Sequence, residues 1–394
     1  MIKRSYKSGV LFLLIAAVIV LRIIAEPTSY VSPDSSFYLA AADHLMKGEG
    51  LVAPHPEAPH ADVYFAIWPA GYPLCIAAVG LLTGTTVLVA SKIVNLFFLG
   101  LTFVLLFRWF GEKSWFIALY FCSFGMLEIY SYSWSEAPFL FFLLLLCYFV
   151  TKDLEKDSGP RVFFQLVFCL TALFLFRYAG LIYFLGVGGL LLYFIIKKQW
   201  LKAGYYCSAL FFAGILVCGY LLLNKEMTGY YTGIGDRLQP QMESLQQFVV
   251  LLLVGLWNQL PLARQSSMSG ELDVLYIALL MGQLGVMAVL FYYREKMQAS
   301  FFKNTETKII LAFAIFYLIA IVVLRKIQPF DPFDYRIMAP FSLPSFVALL
   351  GRLTKDDAAA YLKKVQPWIV AFMLLSLMVN LPKQFLIEWF RGLF

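Results

Sequence analysis

Charge is scarce in this chain. Only 14% of its 394 residues are Asp, Glu, Lys or Arg, and 61% are hydrophobic. A soluble globular domain carries about 25% charged residues, so the composition excludes that class and fits a multispanning membrane protein. No stretch can be cut out as a soluble domain; the longest polar segment is roughly 26–71. A Gly-rich phosphate loop of the GxxxxGK[ST] type is missing, which argues against a nucleotide as direct substrate. Internal repeats and acids inside apolar runs are also missing, although transporters commonly show paired halves and mid-depth ionisable groups. The six cysteines (Cys75, Cys122, Cys147, Cys169, Cys207 and Cys218) all fall in apolar runs without ligand spacing. They read as small packing residues, not disulfides or metal ligands.

What is there is a series of apolar runs, each long enough to cross a bilayer. They predict about eleven spans, near 8–25, 85–108, 114–131, 136–151, 162–178, 180–196, 203–223, 274–293, 308–325, 337–352 and 366–381. Two further apolar stretches, 72–83 and 247–260, are expected as helices lying at the outer surface. The fold class is therefore an all-α polytopic membrane protein with extracytoplasmic juxtamembrane helices. It forms one transmembrane unit over 1–394. The first extracytoplasmic loop, with interfacial helices, covers 26–84, and a second large one covers 224–272.

The basic residues orient this arrangement. The N-terminus and the loops at 108–113, 152–161, 197–202, 294–308 and 352–364 hold roughly 19 of the 31 Lys and Arg residues. These segments are assigned to the cytoplasm, and the long, mildly acidic loops to the outside. The net charge of +7 then says little about nucleic acid, and no nucleic-acid partner is expected. Arg22 and Glu26 at the end of the first span leave no small-residue cleavage pattern, so a retained span is expected. Long external loops bearing ionisable and aromatic residues mark the working face.

The most informative external stretch is Ser32-Pro33-Asp34-Ser35-Ser36-Phe37-Tyr38. An acid here meets both water and lipid. Asp34 suits a helix N-cap, a purely structural role. It equally suits a general base, tuned at a half-desolvated boundary to accept a proton from a hydroxyl or amine. Glu136, in Ser135-Glu136-Ala137-Pro138, opens the fourth span. It either complements the helix dipole or faces Asp34 as a second acid that orients substrate.

Cations cluster near the outer boundary: Arg22, Lys92, Arg177, Lys225, Arg237, Arg264, Arg325, Lys326 and Arg336. Each one alone is explained by snorkelling to headgroups. So many on the disfavoured side point to an anionic partner such as a lipid phosphate. Arg177, at a tight turn between spans, and Arg336, in Asp334-Tyr335-Arg336, are the expected phosphate contacts, because a guanidinium grips phosphate as a two-pronged fork. Tyr335 and Lys92 complete that set. Tyr38, Trp68 and Tyr72 are candidate sugar-binding aromatics, with His55 and Asp62 beside them in the first loop; belt aromatics are the alternative for the rings. His55, His60 and Asp62 have weakly metal-like spacing, but Pro56 and Pro59 break any helix that would align the two imidazoles, and no metal site is predicted.

The order of these motifs carries a resemblance. One span is followed by a long external loop with an Asp, then Tyr38…Ala42…Leu45…Gly48-Glu49-Gly50, Trp68-Pro69-Ala70-Gly71-Tyr72-Pro73-Leu74, Ser135-Glu136-Ala137-Pro138-Phe139 and Tyr335-Arg336-Ile337-Met338-Ala339-Pro340. Over nearly its whole length the chain resembles the GT-C membrane glycosyltransferases. It is similar to the branch holding protein O-mannosyltransferases and lipid A aminoarabinose transferases. The resemblance implies a sugar donor on polyprenyl phosphate, a lipid or glycan acceptor, a site on the non-cytoplasmic face of a bacterial plasma (inner) membrane, and Asp34 as catalytic base. No cofactor is implied. Protein O-mannosyltransferases carry an Asp-Glu pair where this chain has Asp34-Ser35, which weakens a protein acceptor. The paired metal-binding acids and large soluble C-terminal domain of the family's oligosaccharyltransferases have no counterpart before Phe394. The rival expectations are a transporter or flippase of a lipid-linked or anionic solute, and a polysaccharide polymerase.

Overall fold

The computed structural model describes residues 6–56, 58–156, 159–233, 243–265, 273–294, 304–327 and 330–391. Arg237, most of the loop at 294–308 and parts of the loop at 224–272 lie outside the described residues. The elements follow in chain order: α1 (Tyr6–Ala25), α2 (Pro33–Lys47), β1 (Val52–His55), β2 (Ala58–Tyr64), α3 (Gly71–Thr83), α4 (Val87–Phe110), α5 (Ser114–Ala118), α6 (Phe124–Ser131), α7 (Glu136–Glu155), α8 (Arg161–Phe176), α9 (Leu181–Ile196), α10 (Trp200–Thr228), α11 (Leu245–Trp257), α12 (Val274–Tyr292), α13 (Thr305–Ile327), α14 (Tyr335–Leu353), α15 (Ala359–Val379) and α16 (Lys383–Arg391).

Among the described residues, eight helical segments are long and apolar enough to cross a membrane: 6–25, 87–122, 136–155, 178–196, 200–228, 274–292, 305–327 and 356–379. The chain is a multi-pass membrane protein. The difference from eleven has local causes. The predicted span 114–131 is broken at Ser123, whose extended backbone separates a short helical run from α6. Helix α8 has only 16 residues. Helix α14 carries Arg336 and Arg352 and two internal prolines, Pro340 and Pro344, so it is too polar to count by composition. The stretches at 72–83 and 247–260 are short apolar helices, α3 and α11.

Burial grades from centre to rim. Within the most apolar window of α7, 72% of residues are buried, against 11% in α12, so α7 runs through the middle of the bundle and α12 flanks it. Its neighbours α4, α8, α13 and α14 pack around it. Their inward positions are Leu, Phe, Cys and Ala, and their outward positions are large apolar residues such as Phe97, Phe168 and Ile315. Outward apolar faces suit lipid.

The loop that follows α1 folds onto this bundle. Ser32 caps α2, its hydroxyl accepting from the Ser35 amide at 3.2 Å, and Pro33 takes the first helical position, where its missing N–H costs nothing. Gly48, at φ +77°, ends the helix in the left-handed conformation that glycine adopts without strain. The segment after it is a hairpin, not a further helix: Val52 pairs with Tyr64, Ala53 with Val63 and Pro54 with Asp62. Helix α3 then packs on α2 and α4.

Candidate active site

Four chain segments bring their ends together at one charged cluster. Asp34 lies in the first turn of α2, Glu136 is the first residue of α7, Arg177 sits between α8 and α9, and Arg336 is in the first turn of α14. The Arg336 guanidinium donates from Nη1 to Asp34 Oδ2 and from Nε to Glu136 Oε1. Arg177 Nη1 donates to the same Glu136 oxygen. One arginine therefore bridges both carboxylates, and one carboxylate holds both arginines.

Exposure within the cluster is graded. Glu136 is 1% exposed and Arg336 13%, while Arg177 is 21% and Asp34 29% exposed. The buried pair forms the floor, and Asp34 and Arg177 form the rim. Glu136 Oε2 is buried without a hydrogen-bond partner. An unsatisfied carboxylate oxygen is costly unless the site has a use for it.

The capping role considered for Asp34 does not hold. Ser32 caps the helix, which leaves the Asp34 carboxylate free for Arg336. Asp334 takes the capping role at α14, accepting from the Ile337 amide at 2.8 Å, and burial pushes its carboxyl up from the usual range.

The arginines are held from behind. Arg177 follows the end of α8 with extended backbone, and the turn closes as the Gly180 amide donates to the Arg177 carbonyl at 2.8 Å. Its guanidinium lies 5.9 Å from the Phe139 ring centre. Arg336 lies 4.6 Å over the ring of Trp134. Nothing in the residue pattern set Trp134 apart from the belt aromatics beside it.

Several candidates fall elsewhere. Lys92 donates to the carbonyls of Tyr30, at 3.2 Å, and Ser131, at 2.8 Å. It braces the loop behind Asp34 and makes no ion pair with the cluster among the described residues. Tyr38 and Tyr72 are buried at 1% and 0% exposure, so neither ring has a face for a sugar. Tyr38 shares a hydrogen bond of 3.1 Å with Ser135, and burial pushes its phenol up. Tyr72 donates to Asn95 Oδ1 at 3.0 Å. Trp68 is half-buried and packs on Tyr38, with ring centres 5.2 Å apart. Tyr335 turns toward α6, its ring 5.9 Å from Phe124.

His55 and Asp62 are on the hairpin. Asp62 lies 3.6 Å from His44 Nε2, whose Nδ1 is 2.6 Å from Glu49. His44 is ten residues beyond Asp34 on α2, about 15 Å along a helix. The hairpin acids therefore mark the far end of α2. No three His, Cys, Asp or Glu side chains come together as a metal-binding group among the described residues. A cavity beside Tyr335, between Tyr120, Ser123, Gln259 and Ser342, has room for about one water molecule and does not reach Asp34.

In its overall course of helices the chain has a GT-C-like fold, which it shares with solved ArnT structures. The chain is similar to the crystal structure of ArnT from Cupriavidus metallidurans in the apo state, with a TM-score of 0.54 and 16% identity over 91% of this chain and 62% of that one. It is also similar to ArnT from the same organism bound to undecaprenyl phosphate, with a TM-score of 0.52 and 14% identity over 95% of this chain and 77% of that one. The chain thus spans about 62% of the length of the apo ArnT chain. No family model matches the chain, and no curated protein sequence does.

Proposed function

We propose that this chain is a glycosyltransferase that moves a sugar from a polyprenyl-phosphate donor to an acceptor hydroxyl or amine at the extracytoplasmic membrane face. One observation carries the reading: a carboxylate free of capping duty, Asp34, shares the Arg336 guanidinium with a buried Glu136 that also holds Arg177. That arrangement supports a reading in which a proton acceptor stands beside two groups suited to grip phosphate. An ArnT bound to undecaprenyl phosphate has the same fold, and that supports a polyprenyl-phosphate ligand.

In the proposed reaction Asp34 takes the proton of the acceptor O–H or N–H. The acceptor attacks the anomeric carbon as the bond from that carbon to the phosphate oxygen breaks, and configuration inverts. The leaving phosphate departs with the bonding electrons. Arg177 and Arg336 meet its developing charge, and each such contact contributes about 2–4 kcal/mol to lowering the barrier. Phosphate is a competent leaving group, so no strong general acid is required. Glu136 holds the two arginines through one shared oxygen, and its unpartnered Oε2 accepts a hydroxyl of the bound sugar. Trp68, the half-buried ring beside α2, forms part of the sugar wall.

Transfer in vesicles holding the purified protein and a labelled polyprenyl-phosphate sugar tests this. Arg336→Ala is expected to raise the KM of the donor at least several-fold more than that of the acceptor. Equal changes in both would remove Arg336 from phosphate binding.

A further inference from the structure

We infer that Trp134 is the positioning residue of this site, fixing Asp34 and Arg336 against each other. The inference rests on the lipid-phosphate reading above. Trp134 lies in the four-residue link Tyr132-Ser133-Trp134-Ser135 just ahead of α7, and it is buried, at 6% exposure. Its indole is engaged on three sides. Tyr132 stacks on one face, with ring centres 4.0 Å apart and planes within 6°. That face is full, so the Arg336 guanidinium, 4.6 Å from the ring centre, occupies the other. The indole N–H, on the edge, donates to Ser32 Oγ at 2.7 Å.

Those contacts reach both members of the Asp34–Arg336 pair. Ser32 is the cap of α2, and its oxygen accepts from Trp134 and from the Ser35 amide while sharing a hydrogen bond of 3.0 Å with the Ser35 hydroxyl. Its hydrogen-bonding capacity is then filled. The edge of Trp134 sets where α2 begins, and hence where Asp34 sits. The face of Trp134 sets the plane of Arg336, and hence the direction of its fork. A guanidinium over an indole face is a favourable cation–π geometry that also restricts rotation of the fork. Tyr132 in turn is packed edge-on against Tyr30, at 4.9 Å, so the stack is backed by the same loop that carries Ser32.

Face and edge are separable by substitution. Trp134→Phe keeps an aromatic face and removes the N–H; Trp134→Leu removes both. Two readouts distinguish them, taken on the full chain in detergent. Affinity for undecaprenyl phosphate reports Arg336, and hydrogen–deuterium exchange at residues 33–37 reports the start of α2. Trp134→Leu is expected to weaken lipid-phosphate binding roughly 3- to 30-fold, the range of a desolvated cation–π contact, and to speed exchange. Trp134→Phe is expected to speed exchange equally, with binding within about 3-fold of wild type. Binding unchanged in Trp134→Leu but lost in Arg336→Ala would overturn the positioning role while leaving the lipid-phosphate reading intact. Equal effects of Phe and Leu on both readouts would reduce Trp134 to a packing residue and also overturn it. Absence of undecaprenyl phosphate binding by the wild-type chain would overturn the lipid-phosphate reading itself.

Discussion

At the scale of residues, Glu136 organises the site. Its buried carboxylate is shared by two guanidinium groups, so it sets the distance between them. Glu136→Gln keeps the shape and removes the charge, leaving two largely buried arginines without their common partner. Loss of one member of a buried ion-pair set costs about 3–5 kcal/mol, and the expected fall in unfolding midpoint in detergent is correspondingly large. A thermal midpoint unchanged from wild type would mean that the arginines find other partners. Asp34 and Glu136 were legible in the sequence because each begins a helix beside a proline at the water–lipid boundary. Lys92 was not, because a lysine stem can turn either way and only the folded loop offers it the Tyr30 and Ser131 carbonyls. Tyr38 sits in a polar stretch and Tyr72 opens an apolar one, and only the packing of α2 on α3 puts both rings, 5.2 Å apart, in the core. Trp134 was not singled out, since no spacing rule marks a ring that stacks on an arginine two hundred residues away.

At the scale of elements, the site depends on two tight helix boundaries. Ser32 at the start of α2 is one. Ser32→Ala removes an N-cap worth about 1 kcal/mol and the acceptor for Trp134, and faster amide exchange in the first turn of α2 would show it. Unchanged exchange there would mean that Ser32 does not hold the turn. The turn at 177–180 is the other. A Cβ on Gly180 would come within 2.5 Å of the Leu173 carbonyl oxygen and the Phe174 nitrogen, both backbone atoms of α8. Gly180→Ala is therefore expected to pry α9 from α8, cost about 1–3 kcal/mol and weaken lipid-phosphate binding through Arg177. Wild-type binding and stability in that variant would show that the turn tolerates a side chain. The turn itself was legible from two apolar runs meeting at Arg177-Tyr178. The hairpin at 52–64 was not: its strands are short, polar and interrupted by prolines, so alternation gave no signal.

At the scale of the molecule, composition alone defines a multi-pass membrane protein, and the order of short motifs matches the GT-C fold that the structure shows. The number of crossings was less legible. Hydropathy measures how apolar a segment is, not whether it continues straight, so the break at Ser123 and the short α8 both counted as full spans. Helix α14 counted as one over 337–352, a window that leaves out Arg336, whereas the whole helix carries two arginines and two prolines. The central helix, the loop helix and the late helix deliver their first turns to one place, where two arginines meet two carboxylates. The most direct measurement is mass spectrometry of envelope glycolipids and glycans from cells lacking the chain, complemented with wild type or with Asp34→Asn at equal membrane levels. A saccharide increment restored by wild type and absent with Asp34→Asn is the predicted result; restoration by Asp34→Asn would contradict an aspartate-driven transfer.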